Sequence, residues 1–415
     1  MKKENFQLEK INMTCSKTTS KLLLVLFFFL GKCLLVPGQE TRLQYPPVLR
    51  NAGFSVNVGY INYPFSNTHL KQGYKAESVD IPHTAVRIVL YDFPFSKFLS
   101  ARLTYMRPVK WVEYRNLNGD NKNHTVWMNI GGVSLNARIP GQKKLSFSGE
   151  MGLSVITRRG FKINNVPIIT NATYATGLFG GALEYHFNNN WDLHFMTTYS
   201  FGNKRIKQPG TVFYGAGISY FLRPIPQNKI EENAKSGFTF PQKIIQLAYT
   251  TNRLGYGVNH FVSDEKTFPV FWGGEAQVRS GVSFRYQQNI FHTRKLFSID
   301  WASSIGCWKS DREKNVFFTA SLNPVFRFNF IRSKRADFFF DYSFAGPSFI
   351  SRTIIDHHET GRKFTFYDFM QIGVFAGKRK DLLAGLSVAH YSNGNIFPQN
   401  SGIMIPLTFN VGYVL

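Results

Sequence analysis

Apolar and polar residues alternate along several stretches of the chain. From residue 145 to 155 every second position is apolar or Gly, and the positions between them hold Ser, Gly or Glu. The same period of two recurs at 54–60, 191–201 and 212–222. This period predicts β-strands with one apolar face and one polar face. A length of about ten residues is that of a strand that crosses a bilayer at a tilt.

The second half of the chain divides into eight such strands. The pattern predicts them at 244–250, 270–287, 296–308, 316–331, 337–352, 364–376, 382–393 and 403–415. Short connections at 288–295, 332–336 and 377–381 alternate with mostly longer ones at 251–269, 309–315, 353–363 and 394–402. This asymmetry is typical of outer-membrane barrels, in which the short turns face the periplasm.

The predicted fold class is therefore all-β, an antiparallel outer-membrane β-barrel. Pro and charged residues interrupt the pattern at 223–242, and we interpret this segment as a linker. The segments on either side, 39–222 and 243–415, each suit an eight-stranded barrel, and one sixteen-stranded barrel is the alternative. A soluble β-sandwich also alternates and is a further alternative.

A weak internal similarity suggests that the two halves arose by duplication. Tyr199-Ser200 near the end of the first half resembles Tyr391-Ser392 near the end of the second. In this alignment Thr198 takes the position of His390, and Phe201 that of Asn393. We therefore predict that the first half is a degenerate copy without catalysis.

The N-terminus has the layout of a secretory signal peptide. Five Lys residues precede an apolar run at 22–30, and Val36-Pro37-Gly38 follows as a small-residue exit. We predict that residues 1–38 are cleaved on export, with translation starting at Met1 or Met13. The aromatic-rich last strand predicts a substrate of the barrel assembly machinery, and hence a location in the cell outer membrane.

Composition narrows the choice of partner. The 415 residues include 49 Lys and Arg against 25 Asp and Glu, a net charge of +24, and 16% are aromatic. The basic residues are dispersed over turns and no nucleic-acid motif accompanies them, so we expect no nucleic acid but anionic lipid as partner. The basic residues of the longer loops are Arg312, Lys314, Arg352, Arg362 and Lys363. After residue 38 Cys307 is the only Cys, which excludes an intramolecular disulfide and a Cys-based metal site.

The candidate chemistry lies at the end of the predicted strand 382–393. His390 and Ser392 share one strand face, which the alternation turns toward lipid. A His two residues from a Ser can act as a general base on the hydroxyl. The Asn393 amide and the Gly394 backbone N–H can supply donors to an oxyanion. A polar strand end that enters an Asn-Gly turn explains the same residues without catalysis.

The segment His390-Tyr391-Ser392-Asn393-Gly394, followed by Pro398, Asn400 and Gly402, resembles the PagL family of outer-membrane lipid A 3-O-deacylases, also called acyloxyacyl hydrolases. The overall length is similar to that of longer, Bacteroidetes-type members. The resemblance implies an esterase that removes an acyl chain from lipid A of lipopolysaccharide without a cofactor. It implies His390 as base, Ser392 as nucleophile and Asn393 as oxyanion donor.

One position departs from the family pattern. A Glu about fourteen residues after the His usually orients it, and Met404 stands there instead. Asp356, Glu359 and Asn400 are possible substitutes. Asp356-His357-His358-Glu359 also contains metal-capable side chains, but adjacent His residues in a loop are more often solvated, and we expect no metal. A non-enzymatic barrel that binds lipid or a surface partner, or forms a small pore, remains the alternative function.

Overall fold

The computed structural model describes residues 42–142, 144–263, 273–394, 396–397 and 399–415. The predicted signal peptide lies outside these residues. Antiparallel β-structure dominates the described chain and closes into two separate barrels. The all-β prediction is therefore confirmed.

The first barrel is built from the residues before the linker. The strands are β1 (Gly53–Asn62), β2 (Ala76–Asp80), β3 (Thr84–Pro94), β4 (Leu99–Pro108), β5 (Val112–Leu117), β6 (Asn123–Pro140), β7 (Leu145–Arg159), β8 (Lys162–Ile163), β9 (Val166–Pro167), β10 (Ala172–His186), β11 (Trp191–Ser200) and β12 (Thr211–Phe221). Eight of them pair antiparallel in the ring β1-β3-β4-β6-β7-β10-β11-β12, and β12 closes on β1. β5 pairs with the start of β6 and with β2, and β8 and β9 form a small hairpin.

The second barrel begins after the linker. Its part of the chain contains β13 (Lys243–Thr251), β14 (Ala276–His292), β15 (Phe297–Ser310), β16 (Val316–Arg332), β17 (Ala336–Ile350), β18 (Ile354–Ile355), β19 (His358–Glu359), β20 (Phe364–Ala376), β21 (Leu382–Ser392) and β22 (Ile403–Val414). The ring is β13-β14-β15-β16-β17-β20-β21-β22, closed by β22 on β13. The chain thus forms two eight-stranded barrels rather than one of sixteen strands, and all eight predicted strands overlap observed ones.

Side-chain alternation determines which face of each strand is the outer wall. In β7 the outward residues Phe147, Met151 and Leu153 are 56%, 59% and 64% exposed, whereas the intervening Ser148 and Glu150 are buried. Apolar side chains on the outer wall suit hydrocarbon, and polar side chains inside can satisfy one another. The period of two in the sequence therefore predicted the two faces correctly.

The interior of the first barrel is filled by a network of charged side chains. Arg87 Nη2 lies 2.6 Å from Glu150 Oε1, and Arg138 Nε lies 2.6 Å from Glu184 Oε2. Arg102 contacts both carboxylates, at 3.6 Å and 3.8 Å, and Asp92 at 2.9 Å. A cavity among these residues has a volume of about 10 Å³, the space of roughly one water molecule.

The interior of the second barrel is centred on one arginine. The Arg327 side chain is fully buried and donates to Asp300 over 2.9 Å and to both oxygens of Asp341 over 2.9 and 3.0 Å. Its Nη2 also donates to Gln287 Oε1 over 2.8 Å. Bidentate geometry of this kind is the strong form of the Arg–carboxylate bond. Both barrels are thus packed inside.

The longer loops of each barrel share one end. In the first barrel an apolar cluster continues from the lumen into these loops, including Ile61, Tyr63, Tyr114 and Ile168. In the second barrel the loop after β13 instead contributes a helix to the outside of the wall, as described below.

Among the described residues two α-helices lie outside the strands, α1 (Gln227–Ala234) in the linker and α2 (Gly257–Ser263) between β13 and β14. Single 3-10 turns occur at Asn67–His69 and Lys204–Ile206. No helix in the described part of the chain is long and apolar enough to cross a membrane.

Candidate functional site

β21 carries the predicted base and nucleophile. Ala389 and Tyr391 point into the barrel, where the Tyr391 hydroxyl donates to Thr319 Oγ1 over 2.9 Å. Since successive side chains of a strand point to opposite faces, His390 and Ser392 lie on the outward face. Ser392 is the last residue of the strand, so both lie close to the end with the longer loops.

α2 packs on the same outward face. Its Val262 contacts Val388, two residues before the candidate base. The Asn259 side chain donates to the backbone oxygen of Ile405 on the neighbouring strand over 2.8 Å. His390 itself is 0% exposed. The outward direction of His390 agrees with the sequence pattern, but the ring lies under protein rather than in open contact with lipid.

A carboxylate adjoins the imidazole from the preceding strand. Asp368 in β20 lies directly opposite His390, and its Oδ2 is 3.4 Å from His390 Nε2. Met404 in β22 lies opposite His390 on the other side. The other Asp368 oxygen, Oδ1, accepts a hydrogen bond from the backbone N–H of Ala345. His390 therefore has Asp368 as its neighbour on one adjacent strand and Met404 on the other.

Sequence reasoning missed Asp368, although the chain contains the signal for it. The short turn at 377–381 joins two consecutive strands, and such a turn fixes the register of a hairpin. Counting back from the observed pair Ala376 and Leu382 brings Asp368 opposite His390. The predicted candidates Asp356 and Glu359 come instead from the loop that precedes this hairpin.

The predicted oxyanion donors lie in the turn after β21. Asn393 is fully buried, and its Nδ2 donates to Thr360 O over 3.1 Å and to Gln399 O. Its backbone N–H donates to Asn400 Oδ1 over 2.8 Å. Gly394 has φ +61°, a left-handed conformation that favours glycine. Because both amide hydrogens of Asn393 are engaged here, its side chain has to exchange one of these bonds before it can serve an oxyanion.

Asp356, one of the predicted orienting groups, has a different set of partners. Its carboxylate accepts hydrogen bonds from Ser310 Oγ and from the backbone N–H groups of Arg312 and Glu313, at 2.6, 2.9 and 2.8 Å. Burial alone would raise the pKa of the Asp356 carboxyl, but these hydrogen bonds outweigh it and hold the pKa below its ordinary value. Asp356 therefore connects two loops.

The neighbouring polar residues of this loop also connect loops. Glu359 is exposed. His357 Nε2 lies 2.7 Å from Glu313 Oε1, and His358 Nδ1 lies 3.3 Å from Glu275 Oε2. No group of three or more His, Cys, Asp or Glu side chains that could hold a metal ion occurs among the described residues.

The first barrel has a different arrangement at the positions that the duplication aligned with the site. Thr198 and Ser200 are buried inside the barrel, where Ser200 Oγ accepts a hydrogen bond from Ser154 Oγ over 3.1 Å. Tyr199 is 39% exposed, whereas Tyr391 is 2% exposed. The two Tyr-Ser pairs thus point in opposite directions relative to their barrels, and their likeness in sequence does not extend to geometry.

Two closed, up-and-down, eight-stranded barrels with apolar outer walls and packed polar interiors define the outer-membrane β-barrel class. Within that class, residues 276–413 match the family described as lipid A 3-O-deacylase (PagL). The match includes β14 to β21 and most of β22, and therefore the whole His390 region. The resemblance seen in the sequence is confirmed for the second barrel, and the first barrel lies outside the matched residues.

The chain is also similar to several solved structures. The crystal structure of the outer-membrane enzyme PagL is 16% identical, covering 41% of this chain and 99% of that one with a TM-score of 0.30. The N-terminal barrel domain of Pseudomonas aeruginosa OprF (12% identity, 41% and 98% coverage, TM-score 0.28) and Neisserial surface protein A (12%, 41% and 96%, 0.28) are also similar. A search of curated proteins found no match.

Proposed function

We propose that the second barrel is a lipid A deacylase that hydrolyses an ester-linked acyl chain with Ser392 as nucleophile and His390 as general base. The observation that carries this proposal is the outward-facing His390 and Ser392 beside a carboxylate, within the residues that match the deacylase family. No cofactor enters the reaction.

The chemistry follows from the two side chains. The imidazole accepts the Ser392 proton as Oγ attacks the ester carbonyl, and it returns that proton to the lipid A alkoxide as the C–O bond breaks. Water, deprotonated by the same imidazole, then hydrolyses the acyl-serine and releases the fatty acid. The backbone N–H of Gly394 and the amide of Asn393 are the proposed donors to the oxyanion.

An outward site suits a substrate that resides in the membrane. Acyl chains of lipid A can reach the outer wall of a barrel by lateral diffusion, without passing through its interior. The interiors of the two barrels are occupied by the Arg102 and Arg327 networks. This packing does not support the alternative function of a small pore.

The charge distribution fits an anionic lipid. Arg312, Lys314, Arg362 and Lys363 are exposed in the longer loops at the end where β21 finishes. Arg and Lys bind phosphate through charge-assisted hydrogen bonds. We propose that these residues contact the phosphates of lipid A or lipopolysaccharide, in the outer membrane, after export and insertion by the barrel assembly machinery.

Mass spectrometry of lipid A tests the proposal. The full chain, His390→Ala, Ser392→Ala and Ser200→Ala are expressed in a bacterium that makes lipopolysaccharide, and barrel folding is checked for each by hydrogen exchange. We expect the full chain and Ser200→Ala to remove one hydroxyacyl group, and the two site variants to leave lipid A intact. Ser200→Ala is the matched control, because it removes the same hydroxyl from the aligned strand of the first barrel.

Intact lipid A with the folded full chain would overturn the deacylase proposal. The buried His390 and the engaged Asn393 amide favour, in that case, a barrel that binds lipid or a surface partner without hydrolysis. Equal activity of Ser392→Ala and the full chain would exclude Ser392 as the nucleophile.

A further inference from the structure

We propose that Asp368 is the positioning residue that orients His390, in place of an acid at position 404. This inference rests on the proposed deacylase function and names the group that completes its site. Asp368 comes from β20, on the opposite side of His390 from Met404.

The geometry places Asp368 as a direct cross-strand neighbour. Side chains opposite each other in an antiparallel pair have Cβ atoms about 5 Å apart, and both residues are on the outward face. The 3.4 Å separation of Asp368 Oδ2 and His390 Nε2 is longer than an ordinary N–H···O hydrogen bond. Such contacts are often long in an unliganded site and shorten when substrate binds.

The Asp368 carboxylate is itself held in place. Its Oδ1 accepts from the N–H of Ala345, which lies in an irregularity of β17 between Ser343 and Gly346. Ala345 has φ +54°, a conformation that is uncommon for a residue with a Cβ. Bulges of this kind re-aim groups beside functional sites. Here the bulge directs a backbone N–H at the carboxylate that adjoins His390.

The chemical consequence is a fixed tautomer. When Nε2–H donates to Asp368, the lone pair resides on the other ring nitrogen, Nδ1, which is then the atom that accepts the Ser392 proton. Asp368 also stabilises the imidazolium that forms and does not itself take the proton. One carboxylate beside the ring is sufficient to fix the tautomer and to stabilise the imidazolium. Asp368 from β20 can therefore replace a Glu at position 404 in β22.

Relocating the acid tests the role. We compare the full chain with four variants: Asp368→Asn, Met404→Glu, the double variant that combines both, and Asp356→Asn. Lipid A deacylation is measured at varied substrate concentration, which gives kcat and KM for each. Asp368→Asn should lower kcat by between about 10²-fold and 10⁴-fold with little change in KM, because Asp368 contacts the base and not the substrate. The double variant should have a kcat at least tenfold higher than that of Asp368→Asn, because a carboxylate again adjoins His390.

Asp356→Asn is the matched control. It removes the charge of another buried carboxylate at the same end of the barrel, whose partners are Ser310, Arg312 and Glu313, and should change kcat less than threefold. A purely structural role for Asp368 predicts no rescue by Met404→Glu, so a folded double variant as inactive as Asp368→Asn overturns the inference. So does an Asp368→Asn variant with unchanged kcat. Absence of deacylation in the full chain itself contradicts the proposed function instead.

Discussion

In the first barrel several arginines share the buried carboxylates, whereas in the second a single arginine holds two of them. Glu150 contacts Arg87, Arg102 and Ser134. Asp341 in the second barrel contacts Arg327, which also neutralises Asp300. The buried carboxylates are thus neutralised by several arginines in the first barrel and by Arg327 alone for Asp300 and Asp341 in the second. Loss of one residue should therefore affect the two barrels unequally.

The outer walls differ as well. The first barrel places its aligned Thr198 and Ser200 inside, so this part of its outer wall presents Tyr199 and other apolar groups. The second barrel places His390, Ser392 and Asp368 outside, and α2 lies beside them. A one-residue change of phase along a strand is sufficient for this difference, because it exchanges the two faces. The comparison shows why two similar walls can differ in chemistry.

The largest effect is expected for Arg327→Met. It leaves Asp300 and Asp341 buried without their cation, and breaking a buried ion pair in this way costs about 3–5 kcal/mol. Arg87→Met is the comparison variant in the first barrel, where Glu150 keeps Arg102 and Ser134, so we expect a smaller loss there. Hydrogen exchange of strand peptides in rising denaturant measures both, with each unaltered barrel as internal control. Equal losses would contradict the contrast between distributed and central charge.

Much of the fold could be predicted because each wall strand repeats one simple pattern. Alternation predicted the strands of the second half, and short turns fixed their order. In the first half alternation predicted β1, β7, β11 and β12, whereas the longer strands β3, β4, β6 and β10 were not assigned from it. β2, β5 and the β8–β9 and β18–β19 hairpins were not predicted either, since short strands in loops lack enough residues to show a period. α2 was also missed, since seven residues between long strands carry little helical periodicity and its position depends on tertiary packing.

The candidate site was predictable in part for the same reason. The outward direction of His390 and Ser392 follows from alternation alone. The opposite phase of the first barrel was also readable, because Tyr199 belongs to the apolar series 191–201, and aligning Tyr199 with Tyr391 overlooked this. The burial of His390 and the engagement of Asn393 by Thr360 depend on tertiary packing, which no local pattern encodes.

A smaller effect is expected where α2 packs on the outer wall. Val262→Ala removes two methyl-sized groups from the contact with Val388 and should weaken the packing of α2 by about 1–2 kcal/mol. When its packing is weaker, α2 detaches from the wall more often and exposes His390. We therefore expect His390 of this variant to react several-fold faster with diethyl pyrocarbonate than in the full chain, as measured by peptide mass spectrometry. Val258→Ala is the matched control, because Val258 is 49% exposed and Val262 only 7%. Equal reactivity of the two variants would show that α2 does not cover the ring.

The smallest effect concerns the loop contact of Asp356, which has no part in the proposed reaction. The hydrogen bonds from Arg312, Glu313 and Ser310 keep the pKa of this carboxyl below its ordinary value of 3.8. A depressed carboxyl pKa stabilises the fold at pH values above the ordinary value, and that stabilisation is lost as the pH falls through the lower, folded value. Loop protection should therefore be constant from pH 7 to 5 and decrease only below about pH 4.

Asp356→Asn should mimic this loss at neutral pH, at a cost of about 0.5–1.5 kcal/mol. Amide exchange of Arg312 and Glu313, followed by NMR or mass spectrometry, measures it, and the exchange of β21 should not change. Protection that falls already between pH 7 and 5 would mean that another group controls the loop. Because Asp368 and Asp356 lie at the same end of one barrel, separate responses of the loop and of deacylation would distinguish the acid that shapes the loop from the acid that orients His390.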